Sequence, residues 1–199
     1  MTQSATINAV AQRAYGKVEF PVSTPPKKVS VGGAYPFVRQ MTSKDFELLK
    51  RFFNGLTDRS RFSRFMTTFS EVPTSLLRLL SNVQTPEHFA YMAMVNLGSR
   101  TKMVGEVRFV TSENNSSVAE FAIAIADEWQ GKGLASKLMQ QIENAARGHG
   151  VCTLVGTTLR SNTAMIELAR HAGYSLKPDP SEARAVRLVK QIAAQPSLH

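Results

Sequence analysis

A single cysteine, Cys152, stands among 199 residues. It excludes an internal disulfide and a cysteine-built metal centre, and makes a reducing compartment the expectation. Long apolar runs are missing too, since none approaches the roughly 18 residues that cross a bilayer as a helix. The N-terminus has no charged start followed by an apolar run, so a cytoplasmic protein without a membrane span is expected. Acidic residues are scarce beside basic ones, 15 against 24, giving a formal charge of +9. That balance favours a phosphorylated ligand, a polyanion such as nucleic acid, or an acidic protein surface as partner, although a solvated basic surface accounts for it as well. Neither Gly-x-Gly-x-x-Gly nor a Gly-Lys-Ser/Thr phosphate loop occurs. There is no internal repeat and no metal-ligand constellation, so no metal is expected.

What is present fits one domain preceded by an arm. Residues 1–33 carry Pro21, Pro25, Pro26, Gly32 and Gly33 with little periodicity and read as a flexible N-terminal arm. The domain proper is placed at 34–199. A strand is expected at 34–41, then a helix capped by Ser43 with Phe46, Leu49, Phe53 and Leu56 on one face. In a second helix Phe62, Phe65, Met66 and Phe69 form the apolar stripe, while Arg59, Arg61 and Arg64 are assigned to solvent. A third helix starts at Pro73. Extended segments at 88–97, 102–112 and 117–126, joined through Gly98 and Asn114-Asn115, make an antiparallel meander. A helix with Leu134, Leu138, Ile142 and Ala145 on one face follows, then a strand at 151–159, a helix capped by Ser161 or Asn162, and a last strand at 185–192.

The stretch from Glu120 to Ala135 is the most informative. Phe121, Ile123 and Ile125 point one way from an extended chain; Glu120, Ala122, Ala124 and Ala126 point the other. One face is bulky, and the other is nearly empty except for a carboxylate. Gln130-Gly131-Lys132-Gly133-Leu134-Ala135 then joins this strand to a helix. The first amides of a helix have no intrahelical partner and carry partial positive charge, so an anion satisfies both deficits. Gly131, Gly133 and Ala135 let ligand oxygens approach the backbone, and Lys132 adds a mobile cation. An ordinary strand-to-helix turn in a basic protein accounts for the six residues equally well.

Two motifs in register carry a resemblance. Gln130-Gly131-Lys132-Gly133-Leu134-Ala135 is similar to the Arg/Gln-x-x-Gly-x-Gly/Ala loop of the GNAT superfamily of N-acetyltransferases, and the run from Asn162 to Gly173-Tyr174 resembles that superfamily's later helix. Ala119-Glu120-Phe121-Ala122, Arg61-Phe62-Ser63-Arg64-Phe65 and Ala169 in place of the usual helix tyrosine look most like the acetyltransferase domain of bacterial protein lysine acetyltransferases. The resemblance implies an α/β fold of the α+β type, with a central mixed, mostly antiparallel sheet of about six to seven strands flanked by helices. It also implies acetyl-CoA as co-substrate and an amine, plausibly a protein lysine, as acceptor. Glu120 takes the place of the catalytic glutamate. Ile123, Ala124 and Ile125 would pair with the pantetheine arm. Gln130, Gly131, Lys132, Gly133, Leu134 and Ala135 would hold the pyrophosphate, and Asn162 would touch the cofactor or cap its helix. Ala169 cannot act as general acid, and Tyr174 and His171 are weak substitutes. Glu106 is expected in a surface ion pair, and Cys152 as a small packing residue. A small-molecule amine as acceptor, or a non-catalytic basic module binding acyl-CoA or a polyanion, are the alternative functions.

Overall fold

The computed structural model describes residues 33–83, 87–112 and 114–192. The arm expected at 1–33 therefore lies outside the described residues except for Gly33. Seven strands form one sheet in the order β1-β2-β3-β4-β5-β7-β6. They are β1 Phe37–Gln40, β2 His88–Leu97, β3 Arg100–Ser112, β4 Asn115–Ile125, β5 Thr153–Leu159, β6 Ser175–Pro178 and β7 Ala185–Gln191. All neighbours are antiparallel except β4 and β5, which run parallel. A parallel pair needs a long crossover, and α4, Leu134–Gly148, supplies it. The expected mixed, mostly antiparallel sheet is thus the fold observed.

The meander forms because β2, β3 and β4 are long and Gly98, at φ +62°, turns the chain between the first two. The second turn closes earlier than expected, since β4 already starts at Asn115. β6 was not anticipated: four residues ending in proline carry no readable alternation, and pairing with β7 is what makes them a strand.

Three helices precede the meander: α1 Phe46–Asn54, α2 Asp58–Phe65 and α3 Thr74–Ser81. Ser43 does not cap the first: Asp45 stands at the N-cap of α1, and a short 3-10 turn precedes it. Thr42 begins a short 3-10 turn whose Asp45 accepts from Thr42 N and from Arg39, and the Arg39 bonds hold that carboxyl at about 2. α2 departs from the expected stripe. Met66 takes the left-handed conformation at φ 54° and ends the helix, so Phe69 lies beyond it. Phe62 is 37% exposed, whereas Arg61 is only 6% exposed. The helix leaves Arg59 exposed, as expected, but turns Arg61 and Arg64 inward, where Arg61 donates to Asn54 O and Asp58, and Arg64 to Glu106.

Leu134, Leu138, Met139, Ile142, Ala145 and Ala146 of α4 pack on one sheet face beside Val107 and Phe109, all buried. The other face is covered by α1 and α3 through Leu49, Phe52, Phe53, Leu77 and Leu80. Among the described residues no helix is long and apolar enough to cross a membrane.

Candidate active site

β4 and β5 pair only from Val118↔Thr153 to Glu120↔Val155 and then part. Beyond that point β5 stays bonded to β7 and β4 to β3, so a gap opens between two intact ladders. Which backbone groups face the gap follows from alternation. Ala126 N donates to Val104 O at 2.9 Å, so even-numbered residues at the end of β4 turn toward β3. Ile123 and Ile125 turn their N–H groups toward the gap. Ala124 does not: its backbone belongs to the β3 ladder, and only its methyl lines the site. A cleft of about 620 Å³ occupies the gap, walled by β4 from Phe121 to Ile125, by Gly156 to Thr158 of β5, by α2, and by α5, Thr163–His171.

The same cleft reaches the loop before α4, where Gly131, Gly133 and Ala135 line it. Gly131 and Gly133 sit at φ 69° and 83°, a region that costs an L side chain about 1–2 kcal/mol. Their turn brings consecutive N–H groups and the α4 N-terminus onto one spot, and the first turn of α4 carries no acidic residue to compete for it. Leu134 contributes only its amide, because its side chain is fully buried in the core. Lys132 is exposed on the loop and does not line the cleft. Gly131→Ala is expected to strain the loop by about 1–2 kcal/mol at this φ, although nothing lies within 4 Å of the added Cβ, and so to weaken CoA binding by about tenfold; calorimetric titration with CoA checks it.

Gln130 serves the site indirectly. Its Nε2 donates to Ile125 O and to Ser60 Oγ, each at 3.1 Å, and its backbone N–H donates to Asp127 O. Asp127 in turn accepts from Thr57 N, Thr57 Oγ1 and Ser60 Oγ at 3.0, 2.8 and 2.6 Å. These bonds clamp the first turn of α2 to the glycine loop. Thr57, Ser60 and Asp127 were not singled out in the sequence, because Thr57 and Asp127 meet across 70 residues. Asn162 caps α5, accepting from Met165 N at 3.2 Å, while its side of the residue lines the cleft.

Glu120 stands where β4 and β5 part, immediately before the cleft-lining Phe121 and Ala122. It is exposed rather than buried, as its alanine neighbours are too small to cover it. Opposite residues of an antiparallel pair share a face, so Glu106↔Ala124, Arg108↔Ala122 and Val110↔Glu120 align Glu106, Arg108 and Glu120 on one side of the sheet. Glu106 corrects its expected surface placement: it is 0% exposed and held by Arg64 at 2.9 Å and by Arg108. Burial alone pushes its pKa up, but the two guanidiniums push it further down, and it stays ionised. Arg64 stacks over Phe65 and Phe53, 5.0 and 5.6 Å from their ring centres, and lines the cleft.

Arg108 also donates to Leu80 O at 2.7 Å and meets His88 Nε2 at 2.8 Å. An arginine can only donate, so this imidazole is neutral with its proton on Nδ1. Burial, and then the Arg108 charge, bring its pKa down to about 4 from 6.5. The unfolded chain therefore binds a proton below pH 6.5 that the folded chain refuses until about pH 4. Stability from this residue is complete above pH 6.5 and falls by roughly 2 kcal/mol by pH 5. Urea unfolding at pH 7 and pH 5 measures the loss, and His88→Gln, which keeps an acceptor for Arg108, is expected to remove most of it.

Tyr174 is 4% exposed, packs on Phe121 and lies outside the cleft lining, so it is a packing group rather than a proton donor. His171 does line the cleft, with Nδ1 2.8 Å from Glu167 O. Ala169 is fully buried. Cys152 is half-buried at the start of β5. Among the described residues no group of His, Cys, Asp and Glu could hold a metal ion.

Known proteins share this fold. The acetyltransferase (GNAT) family matches residues 53–174. Over 154 residues the chain is 27% identical to an acetyltransferase of Pseudomonas aeruginosa, covering 77% of this chain and 82% of that one. It is 28% identical over 145 residues to the acetyltransferase Pat of Mycolicibacterium smegmatis, covering 71% of this chain but 41% of Pat. Among solved structures, the GNAT domain of S. lividans PAT superposes with a TM-score of 0.70 at 25% identity, over 77% of this chain and 89% of that domain. The fold is shared with yncA of Salmonella typhimurium, solved with its cofactor acetyl-CoA, at a TM-score of 0.62 and 15% identity, over 81% and 96% of the two chains.

Proposed function

The chain belongs to the GNAT family of acetyl-CoA-dependent acetyltransferases, and from that premise we propose that it transfers acetyl directly to the side-chain amine of a protein lysine, with Glu120 as general base. The observation that carries this reading is the open β4 edge that runs straight into the two left-handed glycines at the α4 N-terminus. A phosphate-bearing thioester has one end that needs unpartnered amides and a long arm that offers amide hydrogen bonds, and the cleft supplies both in that order. Gly131, Gly133, Leu134 and Ala135 give their N–H groups to the phosphates, and Ile123 and Ile125 give theirs to the arm.

The acceptor sets the chemical demand. A lysine is ammonium at neutral pH, and freeing its amine costs about 4.6 kcal/mol at pH 7. Glu120 accepts that proton, directly or through a water, from the exposed side of the point where the strands part. A gap-facing amide of β4 meets the negative charge that develops on the thioester oxygen as nitrogen attacks. The leaving thiolate needs no protein acid, since it is a fair leaving group and Ala169 offers no proton. The run Ala119-Glu120-Phe121-Ala122, with its resemblance to bacterial protein lysine acetyltransferases, supports protein lysine as the acceptor over a small amine.

The test is to incubate the protein and acetyl-CoA with a panel of lysine-containing proteins and of small primary amines. Product masses would be read by mass spectrometry. Acetyl-lysine in the proteins is the expected product; acetylation confined to the small amines would replace the acceptor class. Absence of any product, together with no calorimetric binding of acetyl-CoA, would sink the reading.

A further inference from the structure

By register, Phe121 and Gly156 are the first facing residues past the last β4–β5 pair, Glu120↔Val155. A Cβ on Gly156 would lie 2.6 Å from Cε1 and 2.7 Å from Cζ of Phe121. The aromatic ring of β4 therefore occupies the volume of the side chain that β5 lacks. It is held there firmly. Phe121 is 3% exposed and packs on Tyr174 with ring centres 5.2 Å apart, and Leu188, opposite Gly156 in the β5–β7 ladder, is 1% exposed. Phe121, Gly156 and Leu188 all line the cleft. The end of the cleft beside Glu120 is thus finished by a fixed ring and an aliphatic neighbour, and close-packed side chains of this kind do not yield a methylene's volume without cost.

We propose that Phe121, seated over Gly156 where β4 and β5 part, limits the transferred acyl group to acetyl. This rests on the reading that the thioester lies along the β4 edge with its acyl end toward Glu120. An acetyl methyl then ends short of the ring, while each further methylene meets it. The pair acts as one device: β5 carries glycine because the ring needs its space, and the ring limits the chain because it has no other place to go.

The experiment is calorimetric titration of CoA, acetyl-CoA, propionyl-CoA and butyryl-CoA against the wild-type protein, Phe121→Ala, Phe121→Leu and Gly156→Ala. It needs no knowledge of the acceptor. Wild type is expected to bind acetyl-CoA at least about tenfold more tightly than butyryl-CoA. Phe121→Ala should bring the two within about twofold, each read relative to the same variant's CoA affinity, and Phe121→Leu, the milder change should the alanine variant not fold, should move the ratio the same way by less. Gly156→Ala, which drives the ring into the gap, should weaken acetyl-CoA relative to CoA. A wild type indifferent to chain length, or both Phe121 variants with the wild-type ratio, overturns the inference while leaving acetyl transfer standing. Failure of the wild type to bind any of the four overturns the underlying reading, and the inference with it.

Discussion

Replacing Glu120 with Gln is expected to lower kcat by about 10²–10⁴-fold while the affinity for acetyl-CoA changes by less than about twofold. The separation follows from position. Glu120 lies outside the cleft lining and beside the point where the strands part, so in the proposed mechanism it meets the amine rather than the backbone groups that would hold the co-substrate. Glutamine keeps the size and the hydrogen-bonding capacity but cannot take a proton. The lost rate should therefore return as pH rises, because a growing fraction of the acceptor amine is then already neutral. Steady-state kinetics at pH 7 and pH 9, with calorimetric titration of acetyl-CoA, make the measurement. A variant with wild-type kcat at pH 7 would remove Glu120 from the mechanism. Glu106 would not inherit the role, since it is fully buried and bound by two arginines.

Replacing Glu106 with Leu is expected to cost about 3–5 kcal/mol of folding stability, a large part of the 5–15 kcal/mol that holds a domain together. The cost comes from what is left behind. Arg64 and Arg108 have side chains 10% and 3% exposed, and without Glu106 they would keep two positive charges in a space built for one negative one. The companion experiment converts Arg64, Glu106 and Arg108 together to Met, Leu and Met. Removing all three charges removes the need to pair them, so part of the stability should return; Leu80 O and His88 Nε2, which lose their Arg108 donor, keep it below wild type. Urea unfolding of both variants at pH 7 decides between outcomes: a Glu106→Leu protein as stable as wild type would mean that water reaches the arginines. Arg64 also lines the cleft, so the triple change should impair turnover even where it restores stability.

Much of this fold was legible before coordinates because local chemistry dictates it. Pro73 starting α3, Asn162 capping α5 and the left-handed Gly173 after it are decisions made within a few residues. The glycine loop is likewise local, and the structure brings Gly131, Gly133 and Ala135 to one cleft with the β4 edge. Boundaries such as the early start of β4 slipped because pairing, not propensity, sets where a strand begins.

The readings that changed all depend on partners distant in the chain. Arg64 was assigned to solvent and Glu106 to a surface pair, yet 42 residues apart they meet in the interior. Gln130 was read as part of the anion loop; it lines the cleft, and its side-chain amide also reaches Ser60, 70 residues earlier. Ala124 was expected to offer an amide that β3 already uses. The sequence by itself determined most of the elements, the glycine loop before α4 and the carboxylate at the end of an alanine face, since each rests on backbone conformation and side-chain alternation over a few neighbours. Only the tertiary structure decided which charges are buried, which amides remain free and where β4 leaves β5. Those outcomes depend on which groups reach each other once the chain has closed on itself, and a buried charge or amide is stable only where such a partner arrives.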